Sequence, residues 1–167
     1  FRRVLFRSAE NQTRIDSPGY PVDLAVSPDG KLIMISYLYV EDGQTTSYVA
    51  FYNFGDEGQG EIDNIVAGFT YDGVVVPQVV YLGSGVSAAF RDDGFSIYEG
   101  GSVPKEKTKK EIKTDIVSTF YNENYVGLVS KSDGKDEKYK MTVYDLSGKE
   151  KFSRSFNMEY KNIRISD

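Results

Sequence analysis

Short apolar runs, each closed by a turn, fill most of the chain. Leu24-Ala25-Val26 runs into Ser27-Pro28-Asp29-Gly30, and a long apolar stretch from Lys31 to Val40 follows. Val79-Val80-Tyr81 runs into Leu82-Gly83-Ser84-Gly85, then Val86 to Phe90. Val117 to Phe120 runs into Tyr121-Asn122-Glu123-Asn124, then Tyr125 to Ser130. Such runs, rich in β-branched and aromatic residues and bounded by Gly, Asn, Asp and Pro, predict strands. Gly30, Gly85 and Asn124 read as equivalent turn positions, since Gly and Asn both accept a positive φ. Pro28 presets φ for a tight turn.

A second pattern follows each of these pairs. Ala50-Phe51-Tyr52-Asn53, Ser96-Ile97-Tyr98-Glu99 and Thr142-Val143-Tyr144-Asp145 each place a small and an apolar residue before Tyr and a polar residue after it. Gly55, Gly100 and Gly148 come soon after. Positions 52, 98 and 144 are separated by 46 residues both times. A period in the forties with about four strands per unit is the signature of a β-propeller. Recurrence at one blade position predicts that the three tyrosines pack between blades, with each hydroxyl finding a partner.

The predicted strands lie near 22–27, 31–40, 46–54 and 64–70; 78–82, 85–91, 94–99 and 109–115; and 116–121, 124–132, 138–146 and 150–157. Residues 22–77, 78–115 and 116–158 are therefore read as three blades. Residues 9–21 read as a linker and the outer strand of a preceding blade. Residues 159–167, with Asn162 to Asp167 alternating apolar and polar, read as the first strand of the next one. Residues 1–8, Phe-Arg-Arg-Val-Leu-Phe-Arg-Ser, fit no blade position and look like a translated adapter scar, a non-native artefact. The expected fold is all-β: a partial β-propeller of about three and a half four-stranded antiparallel blades. Its first and last blades are expected to leave apolar outward faces uncovered.

Two segments allow more than one element. Ile62, Ile65, Val66 and Phe69 fit a helical spacing, but Gly58, Gly60 and Gly68 crowd it and a blade needs an outer strand there. Lys105 to Lys113 carries five Lys and two Glu and reads as helix, outer strand or loop. A solvated edge protected by Lys is favoured there over an anionic-surface contact.

The chain has 167 residues with a formal charge of −5, no Cys and no His. An acidic chain is a poor partner for phosphate backbones, so no nucleic acid is expected. The apolar runs are too short to span a bilayer, so this segment is expected not to insert. Lack of His and Cys removes the usual general base, thiolate nucleophile and zinc ligands. Paired carboxylates, Lys nucleophiles and oxygen-ligated metals remain.

Asp92-Asp93-Gly94 and Asp133-Gly134-Lys135-Asp136-Glu137 lack the alternating ligands of a calcium loop and read as hairpin turns. Asp23, Glu41, Asp63, Asp72 and Asp115 are the acids that a carboxylate-based glycosidase would have to bring together. Gly83-Ser84-Gly85 is followed by neither Lys nor a helix, so it fails as a phosphate loop, and Ser84 has no His partner. No catalytic residue, no metal ligand and no cofactor is therefore expected, and the ligand-binding residues stay unassigned.

The segments PVDLAVSPDGKLIMISYLYV, TSYVAFYNFGDEGQGEIDNIVAGF, FRDDGFSIYEGG and YVGLVSKSDGKDEKYKMTVYDLSGKE carry a resemblance from Pro21 to about Ile163. They are similar to a family of bacterial WD40/TolB-like propellers, mostly from Firmicutes, whose domain has no assigned function. The resemblance implies a propeller anchored by one amino-terminal transmembrane helix and displayed outside the cytoplasm; it brings no catalytic or binding residues. The expected role is a non-enzymatic binding or scaffold module, a fragment of a larger extracytoplasmic protein. Its expected partners are a protein or cell-envelope ligand and the missing blades of its parent chain. The alternative is a carboxylate-based glycosidase or lyase.

Overall fold

The computed structural model describes residues 19–53, 65–132 and 137–157. They form three four-stranded antiparallel sheets, each a simple meander. Sheet 1 holds β1 (Tyr20–Val26), β2 (Leu32–Glu41), β3 (Gln44–Asn53) and β4 (Ile65–Asp72). Sheet 2 holds β5 (Gln78–Gly83), β6 (Val86–Arg91), β7 (Gly94–Glu99) and β8 (Lys105–Glu111). Sheet 3 holds β9 (Ile116–Tyr121), β10 (Tyr125–Lys131), β11 (Tyr139–Asp145) and β12 (Glu150–Phe156). Consecutive blade-like sheets packed face to face are the architecture of a partial β-propeller.

The repeat is exact at the level of register. Tyr52, Tyr98 and Tyr144 lie on β3, β7 and β11, the third strand of each sheet, and each follows a bulge against the fourth strand. A bulge inserts one residue and re-aims the side chains beyond it. Cross-strand rows then align: Ala25–Met34–Phe51–Ala67 in sheet 1, Val80–Ala88–Ile97–Thr108 in sheet 2, and Phe120–Gly127–Val143–Phe152 in sheet 3. The neighbouring row is Asp23–Ser36–Val49–Phe69, then Gln78–Phe90–Phe95–Lys110, then Ser118–Val129–Met141–Arg154.

These rows build the two inter-sheet cores. Met34, Val49 and Phe51 of sheet 1 meet Val79, Ala89 and Tyr98 of sheet 2. Ala88, Phe95 and Ile97 of sheet 2 meet Val126, Leu128 and Tyr144 of sheet 3. The recurring tyrosine faces the preceding sheet: Tyr98 lies 5.2 Å from the Phe51 ring, and Tyr144 5.4 Å from Phe95. The fourth-strand residue of the second row touches it each time, Phe69 at 4.8 Å from Tyr98 and the Lys110 ammonium 5.5 Å over Tyr144.

Several expectations need correction. The outer strand of sheet 2 is Lys105–Glu111, four residues earlier than 109–115. The alternation of exposed and half-buried positions along it is that of an edge strand, so the Lys-rich segment is neither helix nor loop. β4 runs from Ile65 to Asp72 without helix. β1 begins at Tyr20, so residues 20–21 belong to sheet 1 and not to a preceding blade. Gly30 and Gly85 do adopt positive φ, 71° and 73°, but Asn124 does not. Its turn is closed instead by Asn122, whose side-chain oxygen accepts the Asn124 and Tyr125 N–H groups. Gly30 also stands four residues before its row residue Met34, whereas Gly85 stands three before Ala88, so their equivalence is off by one.

The outward face of sheet 1 is not an exposed apolar flank. Ile33, Ile35, Tyr37, Ala50 and Tyr52 form one cluster, each at most 6% exposed. Within it the Tyr37 and Tyr52 hydroxyls are 3.0 Å apart, and Tyr48 stacks on Tyr37 at 6.5 Å. Its margins stay about half exposed, at Leu24 and Val26 of β1, Tyr39 of β2 and Ile65 of β4. The first strand of a fourth blade (159–167), the preceding outer strand (9–18) and residues 1–8 lie outside the described residues.

Candidate functional site

The turns that join the strands open a cleft between sheets 1 and 2. After β1, the Gly30 N–H donates to the Ser27 carbonyl at 2.9 Å. The Ser27 hydroxyl accepts the Lys31 and Leu32 N–H groups at 3.1 and 2.9 Å and donates to Asp29 Oδ1 at 2.6 Å. Asp29 Oδ1 also accepts the Lys31 N–H at 3.1 Å. The Ser27 hydroxyl first, and that N–H next, hold the Asp29 carboxyl below the usual carboxylate range. On the facing wall the Gly100 N–H donates to the Gly85 carbonyl at 3.2 Å, which ties the β5–β6 turn to the segment after β7. Between these walls lies a cavity of about 730 Å³ lined by Asp29, Lys31, Asn53, Tyr81, Ser84 and Val103 among others. That size is within the range of small-ligand sites.

Tyr81 forms part of the cleft wall. Its hydroxyl is buried and finds no hydrogen-bond partner among the described residues. Burial raises its pKa, and the nearby Asp29 charge raises it further. Among the described lining residues, Asp29 and Lys31 give one charge of each sign.

Beside the cleft, a polar network crosses the same sheet interface. Arg91 at the end of β6 is wholly buried. Its Nε lies 2.9 Å from Asp93 Oδ1, an ion pair without the alignment of a good hydrogen bond. Its other nitrogens donate to Ser96 Oγ at 3.3 Å and to the Lys110 carbonyl at 3.1 Å, and its guanidinium sits 5.2 Å over the Tyr71 ring. The Tyr71 hydroxyl meets that of Tyr98 and donates to Glu106 Oε1 at 2.6 Å. Burial is the main cause raising both phenol pKa values. The sequence reading missed Arg91. An Arg closing an apolar strand just before Asp-Asp-Gly was the available signal, and Asp92-Asp93-Gly94 reads locally as a turn, which it also is.

The described candidate acids, Asp23, Glu41, Asp72 and Asp115, are each bonded to a separate partner. Glu41, Asp72 and Asp115 sit at the strand ends away from the cleft, and each has its own partner: Tyr39, Thr46 and Lys131. Asp23 Oδ2 accepts the Val79 N–H at 2.8 Å and so ties sheet 1 to sheet 2. Asp63 and residues 133–136 lie outside the described residues. No cluster of three Asp or Glu that might hold a metal occurs among the described residues. Gly83-Ser84-Gly85 makes the turn into strand β6, not into a helix. No helix among the described residues is long and apolar enough to cross a membrane.

Three meander sheets with register-matched interfaces define this protein as a partial β-propeller with an inter-sheet cleft. Residues 7–167 match the family described as "Family of unknown function (DUF5711)", and the chain belongs to it. The match reaches further toward the amino terminus than Pro21 and includes residues 7 and 8. A crystal structure of the eukaryotic initiation factor is similar in fold, with a TM-score of 0.61 and 15% identity over 88% of this chain. The aligned region is 35% of that chain, so this protein spans about a third of its length. At that identity the likeness concerns the fold alone. No curated protein matches the chain.

Proposed function

We propose that this chain is a non-enzymatic binding or scaffold module, with the cleft between sheets 1 and 2 as its ligand contact. The observation that carries the reading is the cleft itself: about 730 Å³, walled by two tied turns, with hydroxyls, an amide, one carboxylate and one ammonium at its surface. Mixed donors and acceptors around an apolar floor suit recognition. The one carboxylate among the described lining residues, Asp29, is already engaged by Ser27 and Lys31, and the described candidate acids Asp23, Glu41, Asp72 and Asp115 each bond elsewhere. That arrangement gives no support to a carboxylate-pair glycosidase or lyase, which needs two acids facing one bond. In this reading the parent is a bacterial, membrane-anchored, extracytoplasmic propeller of the WD40/TolB type, and the partner is a protein or cell-envelope ligand.

The test is titration of the isotope-labelled chain with soluble peptides and with cell-envelope glycan fragments. Amide shifts concentrated at Lys31, Gly85, Gly100 and Gly101, and lost in Ser84→Trp, are expected. Glycoside turnover that vanishes on changing Asp23, Glu41, Asp72 or Asp115 would replace this reading with the enzyme.

A further inference from the structure

The outer strand of sheet 2 differs in charge from the rest of the molecule. β8 holds four Lys and two Glu in seven residues, in a chain whose formal charge is −5. The outer strand of sheet 1, β4, has one Asp and no Lys, and that of sheet 3, β12, has Glu150, Lys151 and Arg154. Both glutamates of β8 are already engaged. Glu106 Oε1 accepts the Tyr71 hydroxyl, and Glu111 lies 3.6 Å from the Lys109 ammonium. Lys105 and Lys107 are exposed and have no ion-pair partner among the described residues. Sheet 3 adds to the charge: the Thr108 hydroxyl donates to the Leu146 carbonyl, and the turn that follows carries the exposed Lys149.

The same strand presents an open backbone edge. It is last in the order β5-β6-β7-β8, so its backbone groups pointing away from β7 have no strand partner among the described residues. Such a row templates pairing with another chain. The exposed positions alternate, at Lys105, Lys107, Lys109 and Glu111. Alternate residues of a strand lie about 7 Å apart, so acids at every second position of an incoming strand come within reach of these long side chains. The partner must be short, because β8 bulges at Lys107, which has no opposite residue on β7. A bulge breaks the ladder, and the regular edge is the run 108–111.

We propose that the outer edge of β8 takes a short, acidic, extended segment of a partner protein as an added strand. Main-chain hydrogen bonds along residues 108–111 hold it, and Lys105, Lys107 and Lys109 select Asp or Glu at alternate positions. The occupant is not a second copy, since two β8 edges would set Lys against Lys, and like charges across a strand pair repel. It is not a bare polyanion, which lacks the row of N–H and C=O groups that an open edge pairs with. The edge is a different surface from the cleft, and the proposal does not depend on the reading of the cleft.

The probe is a fluorescein-labelled eight-residue peptide alternating Glu with Val or Thr, titrated with the full chain at low ionic strength, where charge pairs are least screened. It should bind, and its Gln-for-Glu analogue should bind about tenfold more weakly, as a few cross-strand charge pairs are lost. A peptide with the same glutamates but Pro at the other positions lacks those N–H groups and should lose a similar factor. Amide exchange within 108–111 should slow on binding the Glu peptide. Lys105→Glu combined with Lys107→Glu should weaken the Glu peptide and strengthen a Lys-for-Glu analogue, at an unchanged melting temperature. Absence of binding overturns the proposal, as does equal affinity for the Pro-bearing peptide, since charge alone then suffices. Full affinity in the double variant overturns it as well. Displacement of the peptide by phosphatidylglycerol vesicles, with no change of exchange within 108–111, assigns the lysines to a membrane surface instead.

Discussion

Sheets 1 and 2 meet across a face with a buried polar network at its heart; sheets 2 and 3 meet across an apolar core whose polar ties, Thr119 to Gln78 and Thr108 to the Leu146 carbonyl, flank it. The same row positions serve both. At the first interface Tyr98 shares its hydroxyl with Tyr71, which is itself bonded to Glu106, and the buried Arg91 lies over the Tyr71 ring. At the second, Tyr144 packs among Phe95, Ile97, Val126 and Leu128. The contact made by the fourth strand differs in kind as well: Phe69 supplies a ring to Tyr98, and Lys110 supplies an ammonium to Tyr144. A repeated backbone register therefore sets where side chains meet, while the chemistry of the contact varies from one interface to the next. Area burial holds the second interface together. The first depends also on every member of its network being satisfied, because partly satisfied buried networks are costly.

The largest effect should come from emptying the apolar interface. Phe95 is wholly buried and rings with Tyr144. Phe95→Ala should cost about 4 kcal/mol in urea denaturation, as the transfer loss and the cavity add. A cost below that of the polar substitutions would reverse the comparison. At the polar interface, Asp93→Ala leaves the Arg91 guanidinium buried without its carboxylate. Removing one partner of a buried pair typically costs about 3–5 kcal/mol. Asp93 is 35% exposed, so solvent screening brings the expectation to about 2 kcal/mol. Arg91→Met added to Asp93→Ala should recover part of the loss, because an apolar group of similar volume can replace a buried ion pair. If the double variant is less stable than Asp93→Ala alone, the guanidinium contributes more through Ser96, Lys110 and Tyr71 than through Asp93.

The strand pattern was legible because each run is short, apolar and bounded by turn residues, and because the Tyr52, Tyr98 and Tyr144 spacing is a property of the chain itself. The Lys-rich edge strand was placed late because Lys and Glu carry weak strand signal. Only pairing with β7, which buries alternate stems, decides it. The turn at Asn124 was misassigned because Asn serves a turn in two ways, by positive φ or by side-chain capping, and Asn122 here does the second. The cleft and the Arg91 network were not legible at all. Both depend on which sheet faces which, and the sequence separation between Asp29 and Ser84, or between Tyr71 and Glu106, carries no sign of their proximity.

A smaller effect is expected from Tyr98→Phe. The variant removes one hydroxyl from the Tyr71 pair, yet Tyr71 keeps Glu106, so about 1 kcal/mol should be lost. The tyrosines also sharpen the comparison through pH. Burial raises the pKa of Tyr71 and Tyr98 above the ordinary value of 10.0. A phenol raised in the fold contributes stability below the unfolded pKa, and that contribution is lost as pH rises above about 10. Ultraviolet titration should therefore show tyrosinate appearing together with unfolding, and Tyr98→Phe should move that transition to higher pH. Tyrosinate forming well before any loss of structure would show that these phenols are reached by solvent in the native chain.

The smallest effect, with the opposite sign, is expected at Tyr81. Tyr81 and Tyr98 share one cross-strand row through Ser87, on the same face of sheet 2. The Tyr98 hydroxyl is partnered and the Tyr81 hydroxyl is not. A buried polar group without a partner costs roughly 1–3 kcal/mol, and replacing it with an apolar group of the same shape is neutral or stabilising. Tyr81→Phe should thus leave the melting temperature unchanged or raise it by about 2–4 °C, which corresponds to 1 kcal/mol for a chain of this size. The ring is kept, so packing against sheet 1 is preserved and the variant isolates the hydroxyl. A fall in melting temperature would mean that the hydroxyl is satisfied by an ordered water in the cleft, which a buried phenol at the wall of a polar cavity is positioned to hold. The two Tyr→Phe changes, made within one row, then compare a partnered hydroxyl with an unpartnered one at this interface.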